Sequence, residues 1–279
     1  MSDPAIERRS NAIHTTLHGK AWHLTRTADE KGGKMNQSRP PIDSSGHSRR
    51  WQGKTWAQVL AAVLGALPVY AILLILQYLS GQEITIQGFT LYLAVIAPLG
   101  IVIVWLLLRF LCGEKPRDLN LKPGKPSTDL LATLGFSVVV IVLSVVSTFL
   151  LSMLLPESSN TSVENLFAKL AGNPGMLALF AGPLFLVGAA SEEVIRVFFL
   201  SRLWKAWPSL PARWVAIVIS ASLFGLVHYY QGPVNAAWTA IFGLIAAVYY
   251  LRFGRAVPLI LAHWLTNALQ VVLFALLAQ

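Results

Sequence analysis

Ala189-Ala190-Ser191-Glu192-Glu193-Val194-Ile195-Arg196-Val197-Phe198-Phe199-Leu200 sets two adjacent carboxylates and one guanidinium inside an otherwise apolar run. An ionisable side chain at bilayer depth costs on the order of 3 kcal/mol even on lenient insertion scales, so three within five residues are not lipid-facing decoration. They must face one another, a cavity or a substrate. On a helix Arg196 stands at i+3 from Glu193 and i+4 from Glu192, one turn from either, so pairing with one of them offsets part of the desolvation cost. Taken alone, the stretch allows an ion pair that only fastens helix packing, or a working group.

Composition places the run at bilayer depth. Hydrophobic residues make up 55% of the 279 and charged residues 13%, against roughly 25% charged in a soluble domain. The fold class is all-α: a polytopic membrane protein of about seven transmembrane helices. Apolar runs long enough to cross a bilayer, about 20 residues each, fall near 57–79, 88–111, 129–154, 176–204, 212–230, 234–252 and 256–278. The fourth is over-long and contains Pro183, where it is expected to kink or break. Irregular backbone at that depth is tolerated where it lines a protein-enclosed cavity.

Residues 1–55 are polar, with ten bases and five acids, and read as a disordered cytoplasmic tail ahead of a transmembrane domain over 56–279. No apolar core followed by a small-residue cleavage site marks a signal peptide there. The loops after spans two, four and six carry the bases: Arg109, Lys115, Arg117, Lys122 and Lys125, then Arg202, Lys205 and Arg213, then Arg252 and Arg255. The other three loops carry almost none. This alternation puts the basic loops and the N-terminus in the cytoplasm and the C-terminus on the opposite side of a cell (inner) membrane. The net charge of +9 therefore reports orientation and implies no nucleic-acid partner. Trp56, Trp204, Trp207 and Trp214 fall near proposed span ends and fit an interfacial belt. The single cysteine, Cys112, excludes an intramolecular disulfide and reads as a bystander thiol, with palmitoylation the alternative at its membrane boundary.

Later spans carry further polar groups. Phe224-Gly225-Leu226-Val227-His228 closes span five, and His263-Trp264-Leu265-Thr266-Asn267 places His and Asn at i and i+4 on one face of span seven. A desolvated carboxylate can act as general base toward water, and imidazole and carboxamide groups suit the oxyanion formed on attack at a carbonyl. Two imidazoles and one carboxylate are also a catalytic zinc ligand set, although no His-Glu-x-x-His helix advertises one. Ion-pathway chemistry in a transporter is a different reading of the same groups, yet spans one and three offer few polar residues for a route.

The ordered trio, Glu192-Glu193 with Arg196, Phe224-x-x-x-His228 and His263-x-x-x-Asn267, resembles the CPBP family of Abi and CAAX-protease-like intramembrane endopeptidases, over about residues 170–275. The resemblance implies an intramembrane protease bundle in which the first motif's glutamate activates water, supported by both histidines and the asparagine. It implies a membrane-associated peptide or lipidated protein as substrate and no cofactor, with zinc as the alternative. A non-catalytic or bacteriocin-immunity-type relative would keep the fold without the reaction. One departure stands out. The family pattern is Glu-Glu-x-x-x-Arg, whereas two residues separate Glu193 from Arg196. Alignment on the carboxylates makes Glu192 the water activator, with Glu193 next; alignment on Arg196 puts Ser191 there. A local π-bulge or 3₁₀ turn would reconcile the two. A second tension is depth: His228 lies about 22 Å along span five and His263 about 10 Å into span seven, at 1.5 Å per residue.

Overall fold

The computed structural model describes residues 55–79, 85–155 and 161–277. The tail assigned to 1–55 lies outside them apart from Thr55, which opens the first helix. The described elements are α1 (Thr55–Leu79), α2 (Ile86–Cys112), α3 (Pro126–Leu154), α4 (Thr161–Ala171), α5 (Pro174–Ala206), α6 (Leu210–Val227), α7 (Pro233–Phe253) and α8 (Val257–Leu277). Short 3₁₀ turns cover Pro116–Leu119 and Tyr229–Gln231. No strand occurs among the described residues. All but α4 are long and apolar enough to cross a membrane, giving seven spans among the described residues.

The span ends differ from expectation by up to three residues. The third span starts at Pro126 instead of 129, and the fifth stops at Val227 instead of 230. His228 leaves helical geometry, and Gly232, at φ +90°, turns the chain into Pro233 at the head of α7. Only glycine holds that backbone conformation without strain. The amphipathic α4 sits where a loop was expected. Its Leu166 and Leu170 are buried, and Phe167 meets Phe274 of α8 edge-on at 5.5 Å.

α5 is the centre of the bundle, packed by α1, α2, α6 and α8. Close approach rests on missing side chains: a Cβ on Gly65 of α1 would stand 2.5 Å from the Phe198 ring, the small-residue contact by which membrane helices reach van der Waals distance. The expected break in α5 occurs at Gly182 (φ −87°, ψ −109°), just before Pro183 and within a π-helical turn, Phe180–Leu184. Trp264 Nε1 of α8 donates to the freed carbonyls of Ala181 (2.9 Å) and Gly182 (3.1 Å).

The basic connections gather at one end of the bundle. There Glu114 takes both Arg202 Nη1 and Nη2 (2.9 and 2.6 Å) and Lys205 Nζ (2.6 Å), and Gln58 accepts from Arg202 (3.3 Å). Burial works against ionisation of Glu114, and the bonds from Arg202 and Lys205 outweigh it, holding the carboxyl below its ordinary value. Asp129 pairs with Arg255, and Leu119, fully buried, receives the Tyr250 hydroxyl on its carbonyl at 3.3 Å. Cys112 is buried beneath this network. Trp56, Trp207 and Trp214 are exposed as an interfacial belt requires, whereas Trp204 departs from it by stacking on Tyr250 at 5.7 Å. At the other end Gln77 Nε2 of α1 donates to the Val227 carbonyl of α6 at 2.7 Å, and the Thr85 hydroxyl caps α2.

Candidate active site

The two carboxylates separate completely. Along α5 every residue from Glu193 to Leu200 is buried, and Glu192 is the one member of the stretch Ser191–Leu200 that is not. Successive side chains turn by about 100° on an α-helix, so Glu192 and Glu193 leave it in different directions.

Glu193, with no exposed side-chain surface, takes Arg196 Nη1 and the His263 Nδ1 proton (2.9 Å) on the same oxygen. Arg196 is 1% exposed and its guanidinium lies 4.0 Å above the Phe224 ring and 5.5 Å from that of Phe242. These π faces stabilise a cation that has left water. The π-bulge that could have reconciled the motif spacing is absent from this stretch, since Phe185–Ala206 is regular α-helix and the π turn comes earlier.

Glu192 is held more lightly. The Tyr92 hydroxyl of α2 donates to Oε1 at 2.9 Å, and His263 Nε2 stands 3.6 Å from Oε2, beyond a direct hydrogen bond. A carboxylate only accepts, so His263 Nδ1 carries a proton toward Glu193 and its Nε2 is free to take one on the Glu192 side. Tyr92 enters from a π-helical turn, Tyr92–Ile96. The sequence reading missed it; its signal was a lone phenol inside an apolar span.

Glu192 opens into a cavity of about 180 Å³ between α1, the start of α2, α5 and the end of α6. His228 lines the same cavity. Its Nδ1 donates to the Phe224 carbonyl at 2.8 Å, which fixes the tautomer and leaves Nε2 for a reacting partner. Phe224 spans the expected gap in depth, with its ring 4.6 Å from the His228 ring and 6.1 Å from that of His263. Ala256, just before α8, and Leu259 in its first turn are buried in the protein. Asn267 stands one turn beyond His263 on α8, half-buried. Among the described residues it makes no hydrogen bond to the site, nor does it line the cavity. No group of three or more His, Cys, Asp or Glu side chains among the described residues is placed to hold a metal ion.

Seven apolar spans around a buried acid–imidazole site that opens on a cavity define a multi-pass α-helical membrane protein. Residues 174–269 match the family model described as type II CAAX prenyl endopeptidase Rce1-like. The matched region runs from the head of α5 to six residues beyond His263. The match over this region is consistent with the CPBP family of CAAX-protease-like membrane proteins. No curated protein and no solved structure matches the chain.

Proposed function

We propose that the chain is an intramembrane endopeptidase in which Glu192 activates water to hydrolyse a peptide bond of a membrane-associated or lipidated substrate. The observation that carries this reading is the division of the acidic pair: Glu193 is consumed by Arg196 and His263, and Glu192 alone faces a cavity. In the reaction Glu192 takes a proton from water, and the resulting hydroxide attacks the scissile carbonyl. His228 Nε2, bare in the tautomer that the Phe224 carbonyl fixes, must take up a proton before it can donate to the developing oxyanion, and the family resemblance extends that donor role to the Asn267 carboxamide. Collapse breaks the C–N bond, and the proton held by Glu192 passes to the departing amine. Tyr92 and His263 position the carboxylate. Arg196 holds Glu193, and through it the His263 ring.

Zinc held by imidazole and carboxylate donors is the alternative, and the chelator arm of the test below separates it from the glutamate reading. No step is routed through a metal, and no cofactor is proposed. The basic loops are placed in the cytoplasm, with the N-terminus, and the C-terminus on the opposite side of the cell membrane. No nucleic acid is involved.

The test is reconstitution of the full chain in proteoliposomes with a peptide library, cleavage products being mapped by mass spectrometry. Cleavage should be lost in Glu192→Gln and survive a metal chelator. Loss on chelation with Glu192→Gln still active would overturn the mechanism. Absence of cleavage in wild type across membrane-anchored and lipidated peptides would leave a non-catalytic relative.

A further inference from the structure

We infer that Tyr70 of α1 is a further catalytic residue, whose hydroxyl donates to the oxyanion formed during hydrolysis. The inference rests on the proteolytic reading given above.

Hydrolysis needs a donor aimed at the carbonyl oxygen from the moment charge develops there. His228 and Asn267 do not hold one ready. His228 Nδ1 donates to the Phe224 carbonyl, so its Nε2 is bare, and Asn267 does not line the cavity. The other polar groups on the cavity wall are engaged. The Tyr92 proton is spent on Glu192, the Gln77 amide donates to the Val227 carbonyl at 2.7 Å, and the Tyr230 hydroxyl takes Gln231 Nε2 at 2.9 Å.

Helix register places Tyr70 beside the acid. α1 and α5 run antiparallel, with Arg202 bonded to Gln58 and Phe198 lying against Gly65. Twelve residues on from Gln58, or five on from Gly65, Tyr70 comes opposite residues 190–193 of α5, because both helices rise about 1.5 Å per residue. A third contact agrees. A Cβ on Gly100 of α2 would stand 3.1 Å from Val69 and 3.0 Å from Ser191 Oγ, so the residues preceding Tyr70 and Glu192 meet at one point. Tyr70 is 8% exposed and lines the same cavity as Glu192 and His228, and the charges its hydroxyl senses are Arg196, Glu192 and Glu193.

Among the described residues the Tyr70 hydroxyl makes no hydrogen bond. A buried phenol ordinarily finds a partner, and leaving it without one costs stability. The cost is offset if the partner arrives with the substrate. A phenol titrates at about 10 in water, so at neutral pH its proton is in place and no prior uptake is needed. Leu73 and Phe224 keep the surroundings apolar, where one bond to a developing charge counts for more than in water.

The step alters no proton balance. As the hydroxide formed by Glu192 adds to the scissile carbon, the carbonyl π pair moves onto oxygen, and the Tyr70 O–H donates a hydrogen bond to it. The phenol keeps its proton. The bond relaxes when the carbonyl re-forms and the C–N bond breaks, while Glu192 still carries the proton from water to the amine.

Tyr70→Phe keeps the ring and deletes the donor. In the proteoliposome assay it should lower kcat by about 10²–10³-fold with KM nearly unchanged. Tm should hold or rise, since no hydrogen bond of the free protein is lost. A phosphinic analogue of the cleaved peptide, which carries a tetrahedral anion, should inhibit more weakly by the factor lost from kcat/KM. Tyr78→Phe, exposed on the same helix, should leave every value at wild type. Wild-type kcat in Tyr70→Phe, or a raised KM at constant kcat, overturns the inference. So does a loss of activity accompanied by several degrees of Tm, which assigns the hydroxyl to the fold. Glu192→Gln inactive with Tyr70→Phe fully active defeats this inference alone. Cleavage that persists in Glu192→Gln, or that wild type never shows, defeats the proteolytic reading and this inference with it.

Discussion

Glu193 and Arg196 should behave as one structural unit, and Glu192 as a separate working group, and the two roles predict opposite mutant profiles. Arg196→Met leaves a fully buried carboxylate with only His263 as partner, and Glu193→Gln leaves a guanidinium that is 1% exposed against two aromatic rings. Breaking a buried pair by removing one partner costs about 3–5 kcal/mol, because the survivor remains charged and uncompensated. At about 2–4 °C per kcal/mol for a chain of this size, each single variant should lower Tm by roughly 6–20 °C. The double variant Glu193→Gln/Arg196→Met buries no unpaired charge and should be more stable than either single, its cost falling well below their sum. Glu192→Gln keeps an acceptor for Tyr92 and borders the cavity with 14% of its side chain exposed. It should shift stability by less than about 1 kcal/mol while abolishing cleavage. Detergent-solubilised protein followed by intrinsic fluorescence, for which nine tryptophans supply the signal, gives the Tm values, and the proteoliposome assay gives activity. A double variant as unstable as the sum of the singles refutes the pairing. Equal loss of stability in Glu192→Gln and Glu193→Gln refutes the division of labour.

Gly225→Ala should destabilise by about 1–3 kcal/mol and weaken cleavage, because the new Cβ would stand 2.7 Å from the Ala236 carbonyl and displace α6 three residues before His228; Tm and activity measured together check both. The depressed Glu114 carboxyl makes stability pH-dependent with a definite sign. Its contribution is fully present above the ordinary carboxylate pKa and is lost as pH falls through the lower folded value. Acid melting curves should therefore drop below that range in wild type and be flatter in Glu114→Gln; identical curves would deny the effect. Trp264→Phe keeps the ring and removes the N–H that serves the Ala181 and Gly182 carbonyls. It should cost about 1–3 kcal/mol and increase hydrogen exchange around the α5 break.

The spans were legible because a bilayer leaves few choices: about 20 apolar residues in sequence have no other stable home. The break at Pro183 was legible from the missing N–H. The gathering of Glu192, Glu193, Arg196 and His263, with His228 on the shared cavity, could be expected from improbable polar residues in apolar helices. What stayed hidden depends on rotation and on partners distant in sequence. Tyr92 stood out only as a lone phenol in an apolar span, and its role comes from a π-helical turn and from Glu192, one hundred residues away. Helix α4 was missed because a polar stretch between spans reads as loop until Leu166 and Leu170 find α8 to pack on. Asn267 is the residue for which sequence spacing promised more than the geometry delivers.

The shortened spacing between the acids and the arginine is decided by packing, not by counting. Alignment on Arg196 would give the first glutamate's place to Ser191, yet Ser191 is fully buried against α2. A Cβ on Gly100 would stand 3.0 Å from Ser191 Oγ and 2.9 Å from Ile195 Cδ1. A glutamate at 191 would press on the α2 backbone, with no water within reach of its carboxyl. One residue further on, about 100° of rotation turns Glu192 toward Tyr92 and the cavity. The next turns Glu193 toward His263, where Arg196, at i+3, closes the pair. Since the helix is regular throughout, the shorter spacing leaves the acids in place and moves only the arginine, from one reachable position on the helix face to another. The register that matters is therefore set by the direction each carboxylate takes from α5, and on that measure Glu192 is the one turned to the cavity.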